Sequence, residues 1–203
     1  MAISTYAELK TAIADFLNRD DLTSAIPSFI ALAEQQMARD IRHWRQEKRI
    51  ETTLNERYEN LPSDFIEALE LSTDNNRRLT LISTAEMQDR KEATSTSGAP
   101  QYYRFTANQI EFFPAPTATS TSTLSMQYYA RIPALSDSNT SNWVLSYAAD
   151  AYLYGALLHS APYLQEDQRS AVWAGLYQSA IDGLRRDNDG GKYGGPLKMG
   201  VPR

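Results

Sequence analysis

Chemistry would have to start from two histidines, His43 and His159, because the 203 residues hold no cysteine and no other imidazole. Neither stands at Glu-x-x-His or His-x-x-x-His spacing, so a zinc site would need carboxylates to complete it, and none is expected. His159, near the end of an apolar run, reads as a packing or helix-end residue. Gly190-Gly-Lys-Tyr-Gly-Gly195 is glycine-rich like a phosphate-binding loop. It lacks a preceding strand and the four-residue spacer, and Tyr193 stands where a metal-binding hydroxyl belongs. Asp187-Asn-Asp-Gly190 fails as a calcium loop, since placing Gly190 sixth puts Arg185 first and Pro196 where a bidentate Glu is needed. The adjacent acids Asp20-Asp21 and Glu166-Asp167 diverge on a helix and suit helix starts better than paired acid–base catalysis. Asn139-Thr-Ser141 has the form of a glycosylation acceptor, with nothing to route the chain through secretion. No catalytic set, metal or cofactor is expected, and the chain reads as a non-enzyme.

Charge is the next feature with consequences. The net charge is −5, yet residues 185–203 carry Arg185, Arg186, Lys192, Lys198 and Arg203 against only Asp187 and Asp189, so the remainder is more acidic still. A basic tail can seek an acidic partner surface. A second basic group, Arg39, Arg42, Arg45, Lys48 and Arg49, is a candidate channel or DNA-facing cluster. Trp44 alone interleaves it, and cations at a helix C-terminus are also the ordinary structural arrangement.

Hydrophobic content of 42% and charged content of 22% are those of a globular chain. The absence of cysteine fits a protein that matures in a reducing compartment. Met1 to Glu8 shows no basic stretch followed by an apolar run, so no signal peptide is expected. The uncharged stretch from Phe112 to Ala130 is rich in Ser, Thr and Pro, unlike the ~20 mainly apolar residues of a membrane span.

Positioning elements follow from periodicity. Thr5 and Glu8 form a capping box before a helix with Leu9, Ile13, Phe16 and Leu17 on one face. A second helix from Pro27 carries Ile30, Ala33, Met37 and Ile41. From about Gln46 the period shifts toward two. Strands are predicted at 49–54, 65–71, 78–82, 101–106, 109–113 and 123–130, with a short helix capped by Ser83 running to about Lys91. Helical spacing resumes at the N-cap Asn142 and runs to about Ser160, closed by Pro162. Its small residues Ala148, Ala151 and Gly155 admit a close neighbour. A last helix from about Glu166 carries Val172, Trp173, Leu176, Tyr177, Ala180, Ile181 and Leu184, a face wider than one neighbour requires, and stops in Asp187-Asn-Asp-Gly-Gly191. The expected fold is α+β: an antiparallel helical bundle from residues 1–45 and 142–186, an inserted antiparallel β region over 46–141, one domain through 186, and an extended arm over 187–203.

Three stretches carry a resemblance: Leu61-Pro-Ser-Asp-Phe65; Gly98-Ala-Pro-Gln-Tyr-Tyr103 with its exit Phe113-Pro-Ala-Pro116; and Asn142-Trp-Val-Leu145 through Asp150-Ala-Tyr-Leu-Tyr-Gly-Ala-Leu-Leu158. In this order and spacing the chain resembles the head-to-tail adaptor proteins of tailed bacteriophages, over nearly its whole length. The resemblance implies a virion protein at the head-to-tail junction, made in the host cytoplasm. It implies a ring of twelve copies that docks under the portal protein after DNA packaging, helps retain the DNA, and carries the tail nozzle or other tail proteins. Contact with duplex DNA in the channel would then be non-specific, and no membrane is involved. The portal-binding arm would use Lys192, Tyr193, Leu197, Lys198, Met199, Val201 and Arg203. A second reading, a tail-associated host-surface or glycan-binding module, rests on the 12 tyrosines and the Ser/Thr-rich β loops. A glycosidase using two of the carboxylates ranks last.

Overall fold

In the computed structural model, the residues described are 3–19, 21–74, 77–93, 97–116, 122–164 and 169–193. Among them the chain is mixed α+β, with six α-helices and two four-stranded sheets. It divides into a helical unit, residues 1–45 and 132–203, and a β unit, residues 46–131.

The helical unit begins as its caps require. Helix α1 (Tyr6–Leu17) is entered through Thr5, whose Oγ1 accepts the Glu8 N–H at 3.3 Å while the Glu8 carboxylate accepts the Thr5 N–H at 3.0 Å. Such a cap is worth about 1 kcal/mol. The helix ends at Asn18 in the left-handed region (φ 52°). Helix α2 (Ile26–Asp40) has Pro27 in its first turn, where a missing N–H costs nothing.

The predicted helix from Asn142 is two. Asn142 does cap α4 (Trp143–Tyr147), accepting the Leu145 N–H at 2.9 Å. The chain then breaks at Ala148 (φ −141°, ψ 65°), and α5 (Ala149–Leu164) continues past Pro162, which lies inside its last turn. A proline so near the end of a helix disturbs only its final bonds.

Helix α5 packs against α1, α2, α4 and α6 (Ser170–Tyr193). Its glycine is sited by contact: a Cβ on Gly155 would lie 3.1 Å from the Ala33 Cβ and 3.3 Å from the Tyr177 ring. One core gathers Leu9, Ile13, Ile30, Met37, Tyr152, Leu157 and Ile181. Leu135 joins it, so the β insertion expected over 46–141 ends instead at Arg131. The reason is polar as well as apolar. The Leu135 N–H is donated to Glu34 Oε1 (2.7 Å), Tyr152 donates to the same oxygen (3.1 Å), and Asn142 Nδ2 donates to both Tyr152 Oη (2.6 Å) and Pro133 O (2.8 Å). Burial raises the Glu34 carboxyl above its ordinary pKa.

In the β unit, the strands are β1 (Glu47–Leu54), β2 (Tyr58–Asn60), β3 (Phe65–Thr73), β4 (Arg77–Arg78), β5 (Thr80–Leu81), β6 (Tyr102–Thr106), β7 (Gln109–Phe113) and β8 (Ser122–Ala130). They form sheets ordered β1-β8-β3-β4 and β2-β7-β6-β5. Pairing is antiparallel except that β5 runs parallel to β6, and the single strand predicted over 78–82 is β4 and β5, divided between the two sheets. Alternation on β8 buries Leu124, Met126 and Tyr128. They share a core with Leu54, Leu71, Ile110 and Phe112 from both sheets. Helix α3 (Thr84–Ala93) covers a smaller cluster of Ile82, Met87 and Phe113. It is tied down where Lys91 (2.6 Å) and Arg104 (2.6 Å) meet the fully buried Glu111, with Tyr58 donating at 3.1 Å. Burial pushes Glu111 up, and the two cations more than reverse it, holding it below the usual carboxylate range.

The broad apolar face expected of α6 resolves into a buried stripe, Trp173, Tyr177, Ala180, Ile181 and Leu184, and an outer edge where Val172 is 60% and Leu176 40% exposed. Ile13→Asp is expected to abolish the cooperative unfolding of the helical unit, because it buries an unpaired charge. Leu176→Asp should shift stability by no more than about 0.5 kcal/mol, as for other surface changes. Thermal unfolding by circular dichroism distinguishes the two positions. Loss of folding in both variants would mean that the outer edge of α6 is also covered.

Candidate functional site

The inward stripe of α6 does not end at Leu184. Asp187, Asn188 and Gly191 continue it at helical spacing, and each is engaged by the segment leaving α2. His43, fully buried, lies 3.0 Å through Nε2 from Asp187 Oδ2, and its Nδ1 accepts the Arg45 N–H at 3.1 Å. An accepting Nδ1 places the ring proton on Nε2, so neutral His43 donates to Asp187. Tyr147 donates to the other carboxylate oxygen at 3.1 Å. The Trp44 N–H is donated to Asn188 Oδ1 at 2.8 Å, and the His43 and Trp143 rings lie 4.9 Å apart between centroids. A Cβ on Gly191 would fall 2.5 Å from Trp44 Nε1, so the indole needs glycine there.

These contacts correct the expected arm. Residues 187–193 are the last two turns of α6, held by His43, Tyr147 and Trp44, although Asp, Asn and Gly are poor helix formers. Lys192 and Tyr193 close the helix. Leu197, Lys198, Met199, Val201 and Arg203 lie outside the described residues.

The five cations of the basic cluster are divided between the two units. Arg42 Nη1 donates to Ala38 O and Ile41 O, both at 2.8 Å, capping the carbonyl end of α2. Arg39 lies exposed in the last turn of the same helix. Arg45 sits with its Cζ 4.7 Å from the ring centroids of both Trp44 and Tyr147. Lys48 and Arg49 are successive residues of β1 in the other unit, so they point to opposite sides of the strand. Lys48 meets Asp64 at 2.5 Å and Arg49 meets Glu51 at 2.7 Å.

Asp64 organises the Leu61–Phe65 stretch. It takes Lys48 on one oxygen and the Tyr128 hydroxyl (2.9 Å) on the other, while its backbone oxygen accepts the Arg131 N–H. Burial raises Asp64 and the two hydrogen bonds more than offset it, leaving its pKa low. Tyr128 is pushed up to about 12 by burial and by Asp64. Beside the turn lies an open cleft of about 450 Å³ lined by Asn60, Leu61, Ser63, Phe65, Asn108 and Arg131.

Among the described residues, no group of three or more His, Asp and Glu side chains is placed to hold a metal ion, and no helix is long and apolar enough to cross a membrane. His159 packs within the core, its Nε2 2.9 Å from Gln36 Oε1. The residues that sequence reading missed are His43, Tyr147, Asp187 and Asn188. Their signal was the continued stripe on α6, which the low helix propensity of Asp187 to Gly191 conceals.

The described residues define a mixed α+β protein whose developed surface feature is a packed group of aromatic side chains and Arg45 at the end of α6. The chain belongs to the SU10 adaptor protein family, a phage head-to-tail adaptor family whose model matches residues 4–200. It is therefore a phage structural adaptor, a virion component of the head-to-tail junction that associates with other head and tail proteins. No curated protein matches the chain.

Burial holds His43 below its ordinary value of 6.5, outweighing the pull of Asp187 in the other direction. Burial first, and then Arg39, do the same for His159. The unfolded chain therefore takes up protons first as pH falls. Stability present above about 6.5 is lost as pH drops below it. The unfolding midpoint of the helical unit should fall between pH 7.5 and 5.5, and the double variant His43→Gln, His159→Gln should flatten that dependence. An equally steep profile in the double variant would place the titration elsewhere.

Proposed function

We propose that this chain joins the portal to the tail as a closed ring, of twelve copies on the family's pattern, and helps retain packaged DNA. Family membership across residues 4–200 is the observation that carries this reading. The exposed apolar edge of α6 at Val172 and Leu176 supports it, since such a surface suits contact with another chain. So does the absence of any recognisable catalytic set in the sequence. An antiparallel arrangement of the helices belongs to the same reading. The function is structural and not enzymatic, and the tail-associated glycan-binding alternative rests on the 12 tyrosines and the Ser/Thr-rich β loops alone. Protein contacts dominate over contact with channel DNA, because Arg42, Lys48 and Arg49 are already engaged.

Portal attachment is assigned to residues 194–203 together with Lys192 and Tyr193 at the end of α6. Five of those ten residues are Gly or Pro, while Leu197, Met199 and Val201 offer apolar anchors and Lys198 and Arg203 offer charge. A premature ring would block DNA entry, so the isolated chain should sediment mainly as monomer and close only on the portal. Co-expression with the portal protein, followed by electron microscopy, tests this. Deleting residues 194–203 is expected to leave thermal unfolding unchanged and to abolish decoration of portals. Deleting 188–203 should also lower stability, since it removes the Asn188 acceptor and the Gly191 seat of Trp44. Wild-type occupancy by the shorter deletion would move the attachment to the helical faces.

A further inference from the structure

Arg45 differs from its neighbours in what it leaves unspent. Its guanidinium makes no hydrogen bond or ion pair with any described residue, whereas Arg42, Lys48 and Arg49 have each found carbonyl or carboxylate partners. Yet it is held in place. Its backbone N–H is fixed on His43 Nδ1, and its Cζ lies 4.7 Å from each of two rings. Those rings are held in turn: the Trp44 backbone N–H is donated to Asn188 Oδ1 while its indole lies against Gly191, and the Tyr147 hydroxyl is donated to Asp187. Despite these anchors Trp44 is 40% and Tyr147 52% exposed. Trp, Tyr and Arg are the residues on which protein interfaces concentrate their binding energy, and fixing them beforehand lowers the ordering cost of binding.

We propose that Trp44, Arg45 and Tyr147 form a docking surface for an acidic segment of a protein partner, with one carboxylate received by the Arg45 guanidinium and apolar neighbours of that carboxylate lying on the two rings. A guanidinium has five N–H donors in a planar fork that matches a carboxylate, and stacking on aromatic faces leaves that fork unused. A nucleic-acid backbone is a poorer match. A phosphate backbone is tracked by several unspent cations in succession, and Arg42, Lys48 and Arg49 are already engaged. This surface goes beyond the ring reading and does not depend on it, because it is complete within one chain.

The test uses the full chain and follows the side-chain Nε resonance of Arg45 by NMR. The probes are a blocked Glu-Phe-Glu-Leu-Glu peptide, the same peptide with every Glu replaced by Gln, and a short DNA duplex. The Glu peptide is expected to move the Arg45 resonance saturably at millimolar concentration or below, and the Gln peptide is not. Arg45→Lys should weaken the Glu peptide about tenfold, since an ammonium cannot reproduce the fork and the stacking. Tyr147→Ala, which removes one of the two rings, should also weaken the Glu peptide, by about fivefold. Equal response to the two peptides, no response to either, a stronger response to the duplex, or undiminished binding by Arg45→Lys would each overturn the proposal. Loss of portal decoration with intact peptide binding would fault the ring reading and leave this surface standing.

Discussion

Helix α5 has almost no face to give to water. Ala151, Tyr152, Leu153, Gly155, Ala156, Leu157 and Ser160 are all buried, and a helix apolar nearly all round must be enclosed by others. That constraint accounts for the helical unit. It draws α1 and α2 from one end of the chain and α6 from the other, and sets them close enough that Gly155 touches both α2 and α6. The polar groups brought along are then obliged to pair. Glu34 satisfies the loop at Leu135 and the Tyr152 hydroxyl, and Tyr177 donates to Asp40 at 2.9 Å. Each leaves the core without an unanswered charge.

The β unit meets the same requirement differently. Two sheets share one apolar core, and the one fully buried carboxylate among the described residues, Glu111, is answered by two cations and a phenol. An ion pair buried in this manner is costly to break from either side, so α3 and the β6–β7 pair are linked as a set. The strength of that link resides in the match between charges and not in their number.

Much of this was legible in the residues. Thr5 and Glu8, Asn142, the alternation of β8 and the bounds of β7 all follow from local rules, because there the local preference and the tertiary contacts agree. The departures come where they disagree. Asp187 to Gly191 reads as a stop, yet His43, Tyr147 and Trp44 supply contacts that no propensity scale contains. The pair Arg77–Arg78 and Thr80–Leu81 reads as one strand because register partners are non-local. The basic cluster looked like a surface because its charges are close in sequence. Backbone carbonyls, the distant Asp64 and the nearby Glu51 claim three of its members. In the candidate site Arg45 and Trp44 were legible only as parts of a basic cluster, and His43 and Asp187 only as members of motifs that fail; that they meet was not legible.

One feature of the β unit bears on how such a chain is built up over time. Its first and last residues are neighbours: Gln46 Nε2 donates to Ala130 O, and Glu47 is the register partner of Tyr129, which sets those two Cα atoms about 5 Å apart. Entry and exit are thus side by side. A host fold that tolerates a two-residue gap at that point can accept a hairpin, a larger sheet or no insert at all, at little closure entropy. The β unit is in that sense built as an exchangeable cassette.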